Sequence, residues 1–213
     1  MRRLLILLFL LPMMLYASND GVEAVLDKAV AKLKADSGVQ MEFEYSVYDA
    51  DASLLFREKG TLLIDADKAV AGKECFSLLL EQLKIWCNGT VQWNYTGQTN
   101  EIYITDAESD EAQNLSPLYI MQLYKNGYRG SLKENAGANV ITLLPIDNNG
   151  EFDKVQVTID KESLQPVRIA LSMNGNGSTE IVVKSYKAGC LFNSKQFVCP
   201  VNEFPDAEVV DMR

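Results

Sequence analysis

Apolar and polar side chains alternate along most of this chain, and the alternation predicts strands almost throughout. Between residues 75 and 95, Phe76, Leu78 and Leu80 fall on every second position, residues 84–87 are rich in β-formers, and Val91, Trp93 and Tyr95 alternate with Gln92 and Asn94. Asn88-Gly89 is a hairpin dipeptide, so the stretch predicts a three-stranded meander. Upstream, Met41, Phe43, Tyr45 and Val47 alternate with Glu42, Glu44, Ser46 and Tyr48, which marks a strand with one wet and one apolar face. Further strands are predicted at 54–58, 60–64, near Val70, and at 101–105, 140–144, 155–159, 167–173 and from Ile181 onward. Asp65-Ala66-Asp67 is expected to interrupt the second of these, and Asn174-Gly175-Asn176-Gly177 to turn a hairpin.

Two segments carry helical spacing instead. Over residues 20–35, Val22, Val25, Leu26, Ala29, Val30 and Leu33 follow the three-four pattern, with Asp20 and Glu23 placed as a capping box. A second helix is expected from Ser116 as N-cap, with Pro117 at its first position, until Asn126-Gly127 stops it. Leu118, Tyr119, Ile120, Met121, Leu123 and Tyr124 make that helix apolar nearly all round, more than a surface helix needs. It is either a short helix buried over a sheet or a lid over a ligand-filled cavity. The predicted fold class is therefore mainly β with α: a half-open antiparallel β-barrel, or strongly curved sheet, with helices covering the concave apolar face.

One face of the strands collects Phe43, Tyr45, Leu62, Phe76, Leu78, Trp93, Tyr95, Ile102, Ile104, Val157, Ile169, Leu171 and Ile181, and the second helix adds Leu118 and Met121. Such a set fits plain core, and it fits an adaptable apolar binding surface equally in kind.

The amino terminus changes the picture of where the chain works. Arg2 and Arg3 precede an apolar run over residues 4–15, and Leu15-Tyr16-Ala17 offers a cleavage site, so residues 1–17 are expected to be a secretory signal peptide and 18–213 one domain. No cysteine lies near that site to carry a lipid. The run is shorter than the ~20 residues a membrane-spanning helix needs. The formal net charge is -9 and grows more negative when Arg2 and Arg3 leave with the leader, which opposes binding to nucleic acid. A monomer is expected. Histidine is absent, which removes the commonest general base and metal ligand.

Four cysteines, Cys75, Cys87, Cys190 and Cys199, would sit in an oxidising compartment. The midpoints of the two local pairs fall at polar positions, so Cys75 with Cys87 and Cys190 with Cys199 are candidate disulfides across hairpins; buried thiols are the alternative. Asp65 with Asp67, and Asp106 with Glu108, Asp110 and Glu111, are the only acidic groupings of interest, and neither has the spacing of a calcium loop. Asn88 and Asn176 head glycosylation triplets that double as hairpin turns. No phosphate loop, dinucleotide fingerprint or zinc spacing occurs, so no metal, no cofactor and no enzymatic activity are expected.

In order along the chain, several segments resemble the periplasmic outer-membrane lipoprotein carrier family, LolA. They are the first helix followed by Val39-Gln40-Met41-Glu42-Phe43-Glu44-Tyr45, then Lys59-Gly60-Thr61-Leu62-Leu63-Ile64, then Cys87-Asn88-Gly89 with the aromatic run to Tyr95, and Leu115-Ser116-Pro117-Leu118. The stretches 152–159 and 167–173, Phe197-Val198-Cys199-Pro200 and residues 205–211 resemble the family's last strands. The resemblance implies a half-open barrel lidded by helices whose interior shelters the acyl chains of lipoproteins crossing the periplasm. It implies as partners acylated lipoproteins, an inner-membrane lipoprotein-releasing transporter and an outer-membrane acceptor. A lipid- or lipoprotein-binding envelope sensor of the same fold is the alternative. Where the family commonly has Arg-Pro, with the arginine implicated in holding the lid, this chain has Asp65-Ala66-Asp67. The nearest arginine, Arg57, precedes that strand, so no latch residue carries over.

Overall fold

The computed structural model describes residues 19–70, 73–107, 117–147, 150–173 and 177–213. The expected leader, the Ser116 cap, the acidic Glu108, Asp110 and Glu111, and the turn at 174–176 lie outside them. The first helix, α1 (Asn19–Ala35), leads into β1 (Gly38–Tyr48) and β2 (Leu54–Val70). The meander follows as β3 (Lys73–Leu79), β4 (Leu83–Cys87), β5 (Val91–Thr96) and β6 (Glu101–Asp106). A second helix, α2 (Pro117–Gln122), tightens into a 3-10 turn, Leu123–Lys125. Then come β7 (Tyr128–Glu134), β8 (Ala138–Pro145), β9 (Lys154–Asp160), β10 (Pro166–Ser172), β11 (Ser178–Lys187) and β12 (Glu208–Asp211).

All twelve strands form one curved, open sheet in the order β12-β6-β5-β4-β3-β2-β1-β11-β10-β9-β8-β7. Most neighbours in sequence pair through hairpins, and the two halves of the sheet join where β1 pairs with β11, Phe43 opposite Val183 and Tyr45 opposite Ile181. The pairing is antiparallel except at the carboxyl-terminal edge, where β12 runs parallel to β6. The tail returns along the outside of the sheet, so its last strand enters β6 from the side rather than through a hairpin.

The expected break at Asp65 does not occur. β2 continues as one strand because its backbone has partners on both sides there: Asp65 faces Gly38 on β1 and Cys75 on β3, and it is buried. A polar residue ends a strand only when it can reach water, and this one cannot.

The helices cover one face, the inner one. Val22, Leu26, Ala29 and Leu33 of α1 and Leu118, Ile120 and Met121 of α2 are all 1% exposed or less and pack on inner side chains of both halves of the sheet. Backbone approaches are close where α1 rests on β7: a Cβ on Gly130 would lie 2.6 Å from Cγ1 of Val22. Likewise, on β2, a Cβ on Gly60 would meet the Phe43 ring, so glycine there lets Phe43 lie flat across the strand.

The outer face of β3 to β6 is apolar too, and the tail covers it. Two 3-10 turns, Ser194–Phe197 and Val201–Glu203, cross it, the first held by a capping box between Asn193 and Gln196. Phe197 buries against Leu63 and Cys75, while Phe204 packs on Tyr95 at 4.4 Å and on Trp86 at 6.0 Å between ring centroids.

Neither expected disulfide is present. Phe76, not Cys75, stands opposite Cys87, and alternation then sends the two sulfurs to opposite faces: Cys87 inward, Cys75 outward beside Phe197. Cys190 lies near Gly38, whose carbonyl accepts its N–H at 2.9 Å, whereas Cys199 is buried with Trp86, Ile102 and Ile104. Burial, with Glu203 nearby, pushes the Cys199 thiol up to about 11.

Phe197→Ala should cost about 3–5 kcal/mol in denaturant unfolding, the range for deleting a buried phenylalanine. It should also speed maleimide labelling of Cys75, which Phe197 covers.

Candidate functional site

The inner face gathers most of the residues expected there. Phe43, Leu62, Phe76, Leu78, Ile169, Leu171, Leu118, Met121 and Val157 belong to one buried cluster, with Tyr45 and Ile181 packed at its margin. Trp93, Tyr95, Ile102 and Ile104 do not. They occupy the outer face, under Phe204 and Ala207, with Trp86 and Cys199.

The register explains the split. Trp86 is opposite Trp93 and Trp93 opposite Ile104, whereas inward-facing Cys87 is opposite Gln92 and Ile85 opposite Asn94. The inner wall of β5 is therefore polar: Gln92 and Asn94 are buried, and the Gln92 amide Nε2 donates to Asn94 Oδ1 at 3.0 Å. Alternation fixes which residues share a face, and only the neighbours decide which face is inside.

Between the two halves of the sheet lies a small apolar void lined by Met41, Phe43, Leu62, Leu78, Pro166, Ile169, Ile181 and Val183. It holds about 20 Å³ of free space, room for about one water. Met41, Pro166 and Val183 were missed from sequence; Met41 and Val183, two residues after Ile181, showed the alternation signal, while Pro166 reaches the void where the register of β10 against β9 is irregular. A larger hollow of about 390 Å³ opens among Glu42, Glu44, Lys59 and Lys184. Its charged rim, on the outward positions of β1, suits water rather than an apolar guest.

α2 and the 3-10 turn that follows it are held by polar contacts as well as by a buried face. Tyr124 Oη donates to Asp27 Oδ1 of α1 at 2.6 Å, and Lys125 Nζ donates to the same oxygen at 3.0 Å. Tyr119 Oη donates to Glu151 Oε2 at 3.3 Å. The Tyr124 hydroxyl first, and Lys125 second, hold the Asp27 carboxyl below its ordinary range. Burial, and then Glu151, push the Tyr119 phenol up to about 12, so it stays a donor at any physiological pH. Arg57 has no part in this: its Nε donates to Ser46 Oγ at 3.0 Å and lies 3.5 Å from Glu44 on the outer face. Among the described residues, no group of three or more His, Cys, Asp or Glu converges as a metal site would.

Residues 23–175 match the family described as outer membrane lipoprotein carrier protein LolA. This chain belongs to the LolA family. Solved structures share the fold. MucB matches at 14% identity over 91% of this chain and 66% of its own, with a TM-score of 0.51. The Pseudomonas aeruginosa MucA/MucB complex matches at 14% identity over 84% of this chain and 62% of that one, TM-score 0.48. A LolA superfamily protein from Nitrosomonas europaea matches at 10% over 84% of this chain and 98% of its own, TM-score 0.43. No curated protein matches in sequence.

Asp27→Ala should leave unfolding stability within about 1 kcal/mol, since both its side chain and that of Lys125 are roughly half exposed. Amide exchange over residues 118–125 should nevertheless rise at neutral pH. Because the Asp27 carboxyl is depressed, its stabilising effect is present above the ordinary 3.8 and lost as pH falls through the lowered value. The exchange difference between the parent and the variant should close in that acidic window.

Proposed function

We propose that this chain is a soluble periplasmic carrier that takes the acyl chains of lipoproteins into the space beneath α2 and moves them from inner to outer membrane. Residues 1–17 are its leader and 18–213 its carrier domain. The observation that carries this reading is a continuous apolar inner face with a small void, covered by helices of which the short one buries Leu118, Ile120 and Met121 but is tethered by surface hydrogen bonds. Membership of the LolA family supports it.

The magnitudes favour a lid that yields to its cargo. At about 20 Å³ the void accepts no acyl chain as it stands, so the lining side chains must turn aside and the helical cover of the inner face must shift with them. Burying an acyl chain contributes about 0.8 kcal/mol per methylene. Each exposed tether holding α2 contributes about 0–1 kcal/mol. A lipid of ordinary length therefore outweighs the tethers, and it replaces the apolar contacts that α2 gives up. Without cargo, the helix closes on the same surface and keeps it from water. The inner-membrane transporter that loads the chain and the outer-membrane acceptor that unloads it would each act by shifting this balance.

The test uses an N-terminally acylated lipopeptide and the same peptide without acyl chains. The acylated form should bind and the bare peptide should not. Absence of lipid uptake sinks the carrier reading, and equal binding of the bare peptide supports the envelope sensor instead. Ile181→Trp, at the partly open margin of the void, should weaken uptake roughly tenfold or more by filling it. Its cost to stability should stay at or below the ~1–3 kcal/mol of an overpacked core site, read in parallel thermal melts.

A further inference from the structure

The strand register sets two rows of side chains across the inner face from β2 to β6. One runs Leu62, Leu78, Ile85, Asn94 and Tyr103, and the other runs Ile64, Phe76, Cys87, Gln92 and Thr105. Both start apolar, the first of them at the void, and both turn polar at β5. Neighbouring strands lie about 4.8 Å apart, so Asn94 stands about 14 Å from Leu62. A lipid acyl chain is roughly half the ~30 Å hydrocarbon core of a bilayer, about the same length. A chain lying across the strands with its methyl end against Leu62 therefore has its head at Gln92, Asn94 and Thr105.

That head end is polar where packing alone would make it apolar. Gln92, Asn94 and Thr105 are 1%, 6% and 2% exposed. The Gln92 amide donates to Asn94 Oδ1, which leaves Asn94 its own amide hydrogens to donate. Thr105 Oγ1, fully buried, has no hydrogen-bond partner among the described residues. A buried hydroxyl without a partner weakens the fold, and valine, of the same shape, would relieve that cost. Neither row contains a carboxylate, a lysine or an arginine, so the head end offers donors without charge. A carboxylate or phosphate buried there would lack a cation, whereas a neutral carbonyl oxygen needs only a donor.

We infer that Gln92, Asn94 and Thr105 form a neutral hydrogen-bonding subsite for the ester or amide carbonyl at the head of a bound acyl chain. Asn94 and Thr105 donate to the carbonyl oxygen, and Gln92 orients Asn94. This rests on the carrier reading above and adds to it the group that is recognised: apolar contacts hold the chain, and the carbonyl fixes how far along the rows it sits. Tyr103, at the end of its row, is only partly buried, and its hydroxyl donates to Glu101 Oε2 at 2.9 Å. The rows thus reach solvent beyond the subsite, on the side where the polypeptide of a lipoprotein leaves its acyl groups.

The experiment uses two matched pairs of ligands, a dipalmitoyl lipopeptide and dipalmitoylglycerol, each made with ester-linked and with ether-linked chains. Each ester should bind roughly tenfold more tightly than its ether, the effect of one or two hydrogen bonds. The infrared band of the bound ester carbonyl should move to lower frequency than in a hydrocarbon solvent. Thr105→Val should cut the ester preference, leave ether binding unchanged and melt at no lower temperature than the parent. Equal affinity of the parent for ester and ether overturns the subsite while leaving the carrier reading intact, and failure of every ligand to bind overturns both. An ester preference confined to the glycerol lipid assigns the subsite to free lipid and overturns its use for lipoproteins. Palmitate anion bound as tightly as methyl palmitate overturns its neutral character. A full ester preference retained by Thr105→Val, or a melt well below the parent, makes the hydroxyl structural and overturns its part in binding.

Discussion

Strands β3 and β4 bury apolar side chains on both faces, Phe76, Leu78, Ile85 and Cys87 inward and Cys75 and Trp86 outward, and a sheet with two apolar faces must be covered twice. α1 and α2 take the inner face and the returning tail takes the outer one, with Phe197 and Phe204 as its anchors. Everything else in the arrangement follows from that division. Aromatic contacts fix the outer cover, whereas the inner cover is split between a long helix seated on β7 and a short helix packed beside it.

The short helix is held by polar contacts rather than by an arginine. Asp27 receives Tyr124 and Lys125 at a single oxygen, and both donors come from the 3-10 turn that ends α2. Such contacts orient the helix more than they bind it, because each is open to water. By contrast, the end of α1 is fixed firmly: Tyr186 Oη donates to Asp36 Oδ2 at 2.8 Å, and Lys32 reaches the same carboxylate. Burial, and then Asp36, drive the Tyr186 phenol well above its ordinary value, so this donor does not titrate near neutrality.

Geometry also links the void with the surface. β2 is long enough to belong to both halves of the sheet, and its length leaves one end without β3 beside it. That end is where inner-face side chains first reach solvent, at Phe56. A single strand thus lines the apolar interior and runs out to the surface, where the exposed Leu54 to Phe56 are followed by Arg57, Glu58 and Lys59.

Much of this was legible in the amino-acid order. Period-two alternation located the strands, Asn88-Gly89 located a hairpin whose glycine has φ of 86°, and the three-four spacing of Val22 to Leu33 located α1 and its buried stripe. The family motifs, spread in order along the chain, pointed to the fold. Three things depended on tertiary neighbours. Trp93, Tyr95, Ile102 and Ile104 alternate as cleanly as Phe76 and Leu78, yet they face outward because the tail supplies Phe204 there. Asp65 reads as a strand breaker and is not one, because two strands enclose it. Cys75 and Cys87 flank a hairpin and still cannot meet, because a register offset of one residue puts them on opposite faces. Alternation along a chain states which side chains share a face; which face is buried, against what, and opposite which partner is decided only when the strands and the tail come together.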